Sequence, residues 1–357
     1  MRRMHSALSV AAALLMVAVT GVTAGGSASA APRHAGAAGP SGRGSRAVGW
    51  PVASRPAPAG NSASADSPYP VVYSVAAAAP EVLADPTGAP AGANNWSCKP
   101  SSAHPRPVVL VHGILATMAE NWATLSPLLA DNGYCVFAFT YGLDPGEDVV
   151  GGLQMMQQSS YQLAAFVDRV VAATGASKVD LVGHSEGTVM PQYYLKFLGG
   201  AAMVSRFVAI APLYQGTTLS GLVMLINALE RAFPALTQPI QSAVATFCGA
   251  CQELLQGSGF LHLLYADGVT AVPGVTYTTI MTRYDELVTP YTSGQLNAPN
   301  ATNHVVQDQC PVDFSEHVTL AVDPVAAQDV LNALDPAQAQ PVPCTLVLPL
   351  VGAPWYP

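Results

Sequence analysis

The chain has 357 residues, of which half are hydrophobic and only 10% are charged, and its formal net charge at pH 7 is −8. A weakly charged, acidic chain lacks the basic surface that nucleic-acid binding requires. It also lacks the basic clusters that hold proteins electrostatically on anionic lipid, so neither class of function is expected.

The first 30 residues have the pattern of a secretory signal peptide. Arg2 and Arg3 precede an apolar run at residues 8–19 that is short for a bilayer crossing, and Ala28-Ser29-Ala30 offers small residues to a signal peptidase. We therefore expect residues 1–30 to be cleaved and the protein to be secreted and extracellular. A retained membrane anchor is the alternative, which the Gly/Ser/Ala-rich continuation disfavours. Cleavage would remove two of the 14 basic and none of the 22 acidic residues, leaving a net charge of −10.

Residues 31–95 are rich in Ala, Pro, Gly and Ser and poor in large apolar side chains. Such a segment buries too little surface to offset the entropy cost of ordering it, so we expect a flexible leader. Whether residues 69–75 dock on the domain is left open. Residues 96–357 are then expected to form a single catalytic domain of the size usual for α/β enzymes.

Apolar runs typical of buried parallel strands alternate with amphipathic, helical runs from residue 107 onward. Strands are predicted at residues 107–113, 134–139, 177–183, 206–211, 275–281 and 304–307, and helices at 119–130, 161–173, 188–198 and 323–334. This alternation predicts an α/β fold, a mostly parallel sheet with helices on both faces.

Residues 216–268 interrupt the alternation between the fourth and fifth strands. They contain a moderately amphipathic stretch at residues 219–233, followed by Pro234 and two cysteines. An insertion at this point would arch over the C-terminal edge of the sheet as a cap or lid. Crossover helices without a gating role are an equally good interpretation.

Six cysteines in an exported chain indicate three disulfides. Many pairings are compatible with the sequence, and we expect pairing in chain order: Cys98–Cys135, Cys248–Cys251 and Cys310–Cys344. The spacing of the second pair would also fit a redox motif or half of a zinc site. No thioredoxin-like context and no second Cys/His pair accompany it, so a disulfide is favoured.

Gly183-His184-Ser185-Glu186-Gly187 fits the G-x-S-x-G pattern of a nucleophile elbow. The pattern follows a predicted strand and precedes a predicted helix, which is the context that the elbow requires. The glycines permit close backbone approach, and the helix N-terminus would face the negative charge that develops in acyl transfer. Ser185 is therefore the candidate nucleophile, in preference to a plain glycine-bounded turn.

At this point the chain resembles the α/β-hydrolase superfamily and, within it, the secreted actinobacterial class 2 triacylglycerol lipases. The resemblance covers roughly residues 95–344. It implies the α/β-hydrolase fold, hydrolysis of acylglycerol esters and an extracellular location, without fixing the acyl-chain length. It rests on the motifs Val108-Val-Leu-Val-His-Gly113, Tyr134-Cys-Val-Phe137, Val182-Gly-His-Ser-Glu-Gly187, Tyr284-Asp-Glu-Leu-Val-Thr-Pro290 and Cys310-Pro-Val-Asp-Phe-Ser-Glu-His317.

The acid and the base of a triad are expected after later strands, in the order Ser, acid, His. Asp285 directly follows the fifth strand and is the candidate acid, with its neighbour Glu286 as the rival. His317 is the candidate base, because a Cys310–Cys344 disulfide would fix its loop. Its rivals are His304, in the sixth strand, and His262, in the predicted cap.

The oxyanion hole is expected to consist of two backbone N–H groups. One belongs to Glu186, the residue after the nucleophile, and the other to Ile114, on the loop after the first strand. His112 and His184 adjoin glycines at strand ends and are expected to shape the walls of the site.

These features predict a secreted serine hydrolase that cleaves carboxylic esters through an acyl-enzyme. The expected partner is a lipid or small ester, with transient contact at a lipid–water interface and no nucleic acid. The same residues would serve an acyltransferase or a peptidase, and the scaffold could be a non-catalytic binding module. The chemistry needs no metal or cofactor, and the sequence offers no convincing ligand cluster.

Overall fold

The structure is a computed structural model that describes residues 69–146, 148–220 and 248–356. The predicted signal peptide at residues 1–30 lies outside the described residues. So do residues 31–68 of the predicted leader and most of the amphipathic stretch predicted at 219–233.

Six parallel strands form the sheet of the described chain, in the order β2-β1-β3-β4-β5-β6. Because all neighbouring pairs are parallel, the loops that follow the strands meet at the same edge. The strands are β1 (Val108–Val111), β2 (Val136–Phe139), β3 (Val179–His184), β4 (Val204–Ile210), β5 (Thr276–Met281) and β6 (Ala301–Val305).

The helices follow the predicted alternation, with one difference in the first half. The helix predicted at residues 119–130 is divided in two, and Pro127, which lacks an N–H, lies in the first turn of the second piece. None of the described helices has the length and apolar composition to cross a membrane. The helices are α1 (Val75–Ala84), α2 (Met118–Asn121), α3 (Leu125–Asp131), α4 (Met156–Thr174), α5 (Glu186–Phe197), α6 (Gly200–Met203), α7 (Gly249–Glu253), α8 (Gly259–Leu264), α9 (Val306–Gln309) and α10 (Pro324–Leu334).

Strand β1 shows why the sheet must be covered on both faces. Its four residues are completely buried, and alternate side chains belong to two different apolar clusters. Val109 and Val111 pack on the side of α4 and α5, and Val108 and Leu110 pack on the side of α3 and α10. Each fully buried side chain of this kind contributes about 1.5–3 kcal/mol. The predicted α/β-hydrolase class of fold is confirmed.

Residues 69–95, which were predicted to be the end of the leader, pack on the rest of the described chain. Tyr73 is buried, and its ring meets that of Tyr356 edge-on at 5.0 Å between centroids. The Thr124 hydroxyl donates to the Val72 carbonyl at 2.5 Å. The segment is held by the buried Tyr73 ring and by hydrogen bonds to its main chain. Its composition of small residues therefore did not indicate the contact.

Asn94 completes the exposed edge of the sheet at β2. Its amide nitrogen donates to the Ala138 carbonyl at 2.8 Å, and its amide oxygen accepts from the Ala138 N–H at 2.9 Å. The Asn94 N–H also donates to the Val136 carbonyl at 2.9 Å. The side-chain amide thus replaces a neighbouring strand and removes the unpaired edge that would invite aggregation.

Three disulfides connect the six cysteines in chain order, Cys98–Cys135, Cys248–Cys251 and Cys310–Cys344, with Cα–Cα distances of 5.8, 5.4 and 5.0 Å. This is the pairing that the sequence analysis predicted. The first joins the end of the 69–95 segment to β2, and the third closes a loop that contains His317.

Replacing Asn94→Ala should lower the free energy of unfolding by about 2–4 kcal/mol. The two Ala138 groups are almost completely buried, and each buried group left without a partner costs about 1–3 kcal/mol. Urea denaturation measures the change. Thr87→Ala, an exposed substitution in the same segment, is the control and should stay within about 0.5 kcal/mol of the wild type. Equal midpoints for Asn94→Ala and the wild type would contradict this role.

Candidate active site

Ser185 occupies a sharp turn between β3 and α5. Its φ is 55° and its ψ is −122°, a strained conformation for a residue with a side chain. Two close approaches fix the turn. A Cβ on Gly183 would lie 2.0 Å from the Gly187 carbonyl oxygen, and a Cβ on Gly187 would lie 2.1 Å from the Val111 carbonyl oxygen. Only glycine fits at both positions, so the strand, the turn and the helix are held together.

The structure brings Ser185, His317 and Asp285 into one hydrogen-bonded row. The Nε2 atom of His317 lies 2.8 Å from Ser185 Oγ, and its Nδ1 atom lies 2.9 Å from Asp285 Oδ2. All three residues are buried. They come from different loops at the C-terminal edge of the sheet, after β3, β5 and β6. The nucleophile, base and acid predicted from the sequence are therefore adjacent in space.

Asp285 is held by its own turn. Its Oδ1 atom accepts hydrogen bonds from the N–H groups of Leu287 at 3.1 Å and of Val288 at 2.6 Å. Asp285 therefore caps this turn and contacts His317 at the same time. The turn fixes the carboxylate that faces the imidazole.

Opposing effects act on the pKa of His317. Burial alone lowers it, but the negative charge of Asp285, with smaller contributions from Glu286 and Glu316, raises it above its usual value. The site thus stabilises the imidazolium, which is the form that a general base adopts after it takes a proton.

The rival residues occupy other positions. The Glu286 carboxylate faces the backbone N–H of His317 at 3.5 Å rather than its ring. His304 lies in β6, with its Nδ1 atom 2.7 Å from the side-chain nitrogen of Gln309. His262 is exposed on α8.

The loop after β1 passes directly over the nucleophile. A Cβ on Gly113 would lie 3.1 Å from Ser185 Cβ. Further along the loop, Leu115 N–H donates to the Gly151 carbonyl at 2.9 Å, and Gly151 N–H donates to the Ala116 carbonyl at 3.0 Å. Ile114, the predicted oxyanion donor, lies in this loop, which these hydrogen bonds hold in place. Its N–H makes no hydrogen bond to another described residue.

Asn121 supports this loop and was not identified from the sequence, where it was one polar position in a predicted helix. Its Oδ1 atom accepts from Gly113 N–H at 2.9 Å and lies 3.0 Å from Nδ1 of His184. The other ring nitrogen of His184 lies 3.0 Å from the His317 carbonyl oxygen. Burial lowers the pKa of His184 to about 3, so the ring is neutral and its single N–H donates to one of these two oxygens. The ring thus lies between Asn121, which supports the loop after β1, and His317.

His112 has a similar structural role on the other side of the loop. Its ring stacks on Tyr141 with 4.2 Å between centroids, and its Nε2 atom accepts from Tyr141 N–H at 3.1 Å. The Tyr141 hydroxyl donates to the His112 carbonyl at 2.7 Å. Burial lowers the pKa of His112 to about 4. The expectation that both histidines shape the walls of the site agrees with these contacts.

Two buried aspartates lie beneath the loop that carries His317. Asp323 caps α10 by accepting from Val325 N–H at 2.6 Å, and Asp313 accepts from Ser315 N–H at 2.8 Å. Burial, and then the charge of Asp313, raise the pKa of Asp323 well above its usual value. A protonated Asp323 avoids two adjacent buried negative charges.

Comparisons with known proteins place this site in a family. The family model described as Lipase (class 2) matches residues 105–330. Triacylglycerol lipases from Pseudarthrobacter phenanthrenivorans and Burkholderia plantarii are each 34% identical over 92 residues, 24% of this chain. Those matches cover 27% and 24% of the relatives, so the chain aligns with about a quarter of their length.

Among solved structures, Aspergillus fumigatus lipase B superposes with a TM-score of 0.50 at 18% identity, covering 71% of this chain and 56% of that chain. This similarity supports the fold alone. The family match covers more than half of the chain and includes the elbow, Asp285 and His317. The chain therefore belongs to the class 2 lipase family.

Proposed function

We propose that the protein is a carboxylester hydrolase with Ser185 as nucleophile, His317 as general base and Asp285 as the orienting acid. The observation that carries the proposal is the row of contacts through His317, 2.8 Å to the serine oxygen and 2.9 Å to the carboxylate. Family membership supports ester cleavage as the reaction.

The mechanism follows from these contacts. Nε2 of His317 takes the hydroxyl proton as Ser185 Oγ attacks the ester carbonyl, and the carbonyl π electrons move to oxygen. The tetrahedral intermediate then collapses, the alcohol leaves with the proton from His317, and an acyl-enzyme remains. Water attacks this ester by the same route and regenerates the serine. Asp285 fixes the ring orientation and stabilises each transient imidazolium.

Backbone donors would stabilise the oxyanion. The N–H of Glu186 opens α5, where the helix dipole also favours negative charge, and the N–H of Ile114 belongs to the loop above Ser185. Neither N–H donates to another described residue, which leaves both available to the substrate oxygen. Losing one such donor typically costs about 100- to 1,000-fold in rate.

We infer that the substrates are acylglycerols or related lipid esters, since the similar bacterial proteins are named triacylglycerol lipases. We also infer secretion, with residues 1–30 as the signal peptide and residues 31–68 as a leader. The signal pattern and the three disulfides support an oxidising, extracellular destination.

We further propose residues 216–268 as a cap whose base rests on the acid loop. Thr217 Oγ1 donates to the Leu287 carbonyl at 2.6 Å, and Thr218 N–H donates to the Thr289 carbonyl at 2.8 Å. Thr217 also forms a short bridge to Leu255, so both described ends of the segment meet beside Asp285. A cap attached there would border the route of the substrate to Ser185.

Ser185→Ala should lower the hydrolysis of p-nitrophenyl esters by about 10⁴-fold or more, because the acyl-enzyme can no longer form. Steady-state kinetics of the secreted protein measures the effect. Ser97→Ala removes an exposed hydroxyl and should retain wild-type rates. A wild type without activity, or a Ser185→Ala variant equal to it, would overturn the proposed function.

The pH dependence separates the two candidate acids. The kcat/KM of the wild type should fall as the pH drops through the raised pKa of His317, because the base must be neutral. Glu286→Gln removes one charge that raises this pKa, so the acid limb should move to lower pH while most of kcat survives. Asp285→Asn should instead cost about 10³–10⁴-fold in kcat. If Glu286→Gln lowered kcat more than Asp285→Asn does, the acid role would belong to Glu286.

The proposed substrate class predicts that the protein hydrolyses both long-chain triacylglycerol emulsions and soluble short-chain esters. Titration of released fatty acid against emulsions, beside the p-nitrophenyl series on the same preparation, measures both. Activity confined to soluble short-chain esters would limit the protein to an esterase role and contradict the acylglycerol assignment.

A further inference from the structure

Glu186 has a second property that its backbone role does not explain. Its side chain is completely buried directly behind the nucleophile, and neither carboxyl oxygen receives a hydrogen bond of good geometry from a described residue. The Tyr141 hydroxyl lies beside this carboxyl. A buried carboxylate without donors is among the most costly groups that a protein can hold.

The carboxyl lies against the oxyanion loop. A Cβ on Gly152 would come within 2.8 Å of Glu186 Oε2 and also within 2.8 Å of Ile114 Cα. The Gly152 N–H donates to the Tyr141 carbonyl at 2.8 Å. The acid side chain, the Tyr141 segment and the loop that carries Ile114 therefore form one packed unit around Gly152.

The hydrogen bonding of the Tyr141 hydroxyl indicates whether the Glu186 carboxyl carries a proton. Its single hydroxyl proton is donated to the His112 carbonyl at 2.7 Å, so its oxygen can act towards Glu186 only as an acceptor. An ionised Glu186 has no proton to donate, so its negative charge would face the Tyr141 oxygen without a hydrogen bond. A protonated Glu186 would donate its O–H to the Tyr141 oxygen and satisfy both groups.

The surrounding groups favour the same state. Burial raises the pKa of Glu186 well above its usual value, the negative charge of Glu253 on α7 raises it further, and the neighbouring Tyr141 hydroxyl lowers it by less. His112, on the far side of Tyr141, is neutral because burial lowers its pKa to about 4. Among the described residues, none of the groups that shift the pKa of Glu186 is a cation.

We propose that the Glu186 side chain is a positioning residue, a neutral carboxylic acid whose hydrogen bond to the Tyr141 hydroxyl holds the Ile114 loop over Ser185. The inference rests on the proposed function, because that function assigns the Ile114 N–H to the oxyanion. A neutral side chain also keeps negative charge away from the place where the oxyanion develops. A carboxylate there would oppose the backbone donor of the same residue.

The protonation state is tested by infrared difference spectroscopy of the wild type against Glu186→Gln at pH 8. We expect the C=O band of a protonated carboxylic acid in the wild type and its loss in the variant. A difference spectrum that contains only carboxylate bands would overturn the proposal. This readout needs no turnover, so it does not depend on whether the enzyme is an esterase.

The positioning role is tested by kinetics of Glu186→Leu and Glu186→Gln. Leucine cannot donate to Tyr141, so kcat should fall by about 10- to 100-fold while KM changes little, as expected when a transition-state donor is displaced. The amide N–H of glutamine can donate to the same oxygen, so Glu186→Gln should recover most of that loss. Glutamine as damaging as leucine, or a leucine variant with wild-type kcat, would contradict the role.

A matched control removes a different buried carboxyl with a raised pKa. Asp329 lies on α10, where it accepts from Gln309 at 3.0 Å and faces His304 at 3.4 Å, and neither partner belongs to the loop that carries Ile114. Asp329→Asn should retain wild-type kcat. If Glu186→Leu does not fold, the infrared measurement on Glu186→Gln still decides the protonation. If the wild type shows no ester hydrolysis that depends on Ser185, the proposed function itself fails.

Discussion

The close approach of α5 to strands β1 and β3 governs the rest of this site. Because Gly183 and Gly187 have no side chains, the helix can begin directly against the sheet, and Ser185 between them is held at a positive φ. This strain is sustained by the fully buried strands on both sides of it. The same approach places the first N–H of the helix beside the serine oxygen. The proposed nucleophile and one proposed oxyanion donor therefore depend on the same packing constraint.

Around this turn, the site is built from buried groups that are mostly uncharged. His112 and His184 are neutral because burial lowers the pKa of each, and they serve as hydrogen-bonding spacers between loops. Asp285 and His317 form the one pair whose charge changes in the proposed cycle. The carboxylate of Asp285 stabilises the imidazolium, with smaller contributions from Glu286 and Glu316, and the two neutral histidines add no competing positive charge.

The parts of this account that the sequence predicted are those with a local pattern. The strands appear as short apolar runs, and the elbow appears as spaced glycines between a strand and a helix. Asp285 and His317 were predicted from their order after the strands, and the structure places both beside Ser185. The support for the site was not predictable in this way. Asn121 and Tyr141 act through individual hydrogen bonds to neighbouring loops, which leave no periodic signal in the sequence. Residues 69–95 were assigned to a leader because of their composition of small residues, but they are held to the domain by Tyr73 and by the hydrogen bonds of Asn94.

The central claim is that Ser185 forms a covalent acyl-enzyme, and trapping that species tests it most directly. A p-nitrophenyl alkylphosphonate ester mimics the tetrahedral intermediate and leaves a stable phosphonyl group on an activated serine. Intact mass followed by peptide mapping should show one adduct per chain, located on Ser185 and formed at a rate that His317→Ala largely abolishes. No adduct, or an adduct on another residue while ester hydrolysis proceeds, would contradict the account.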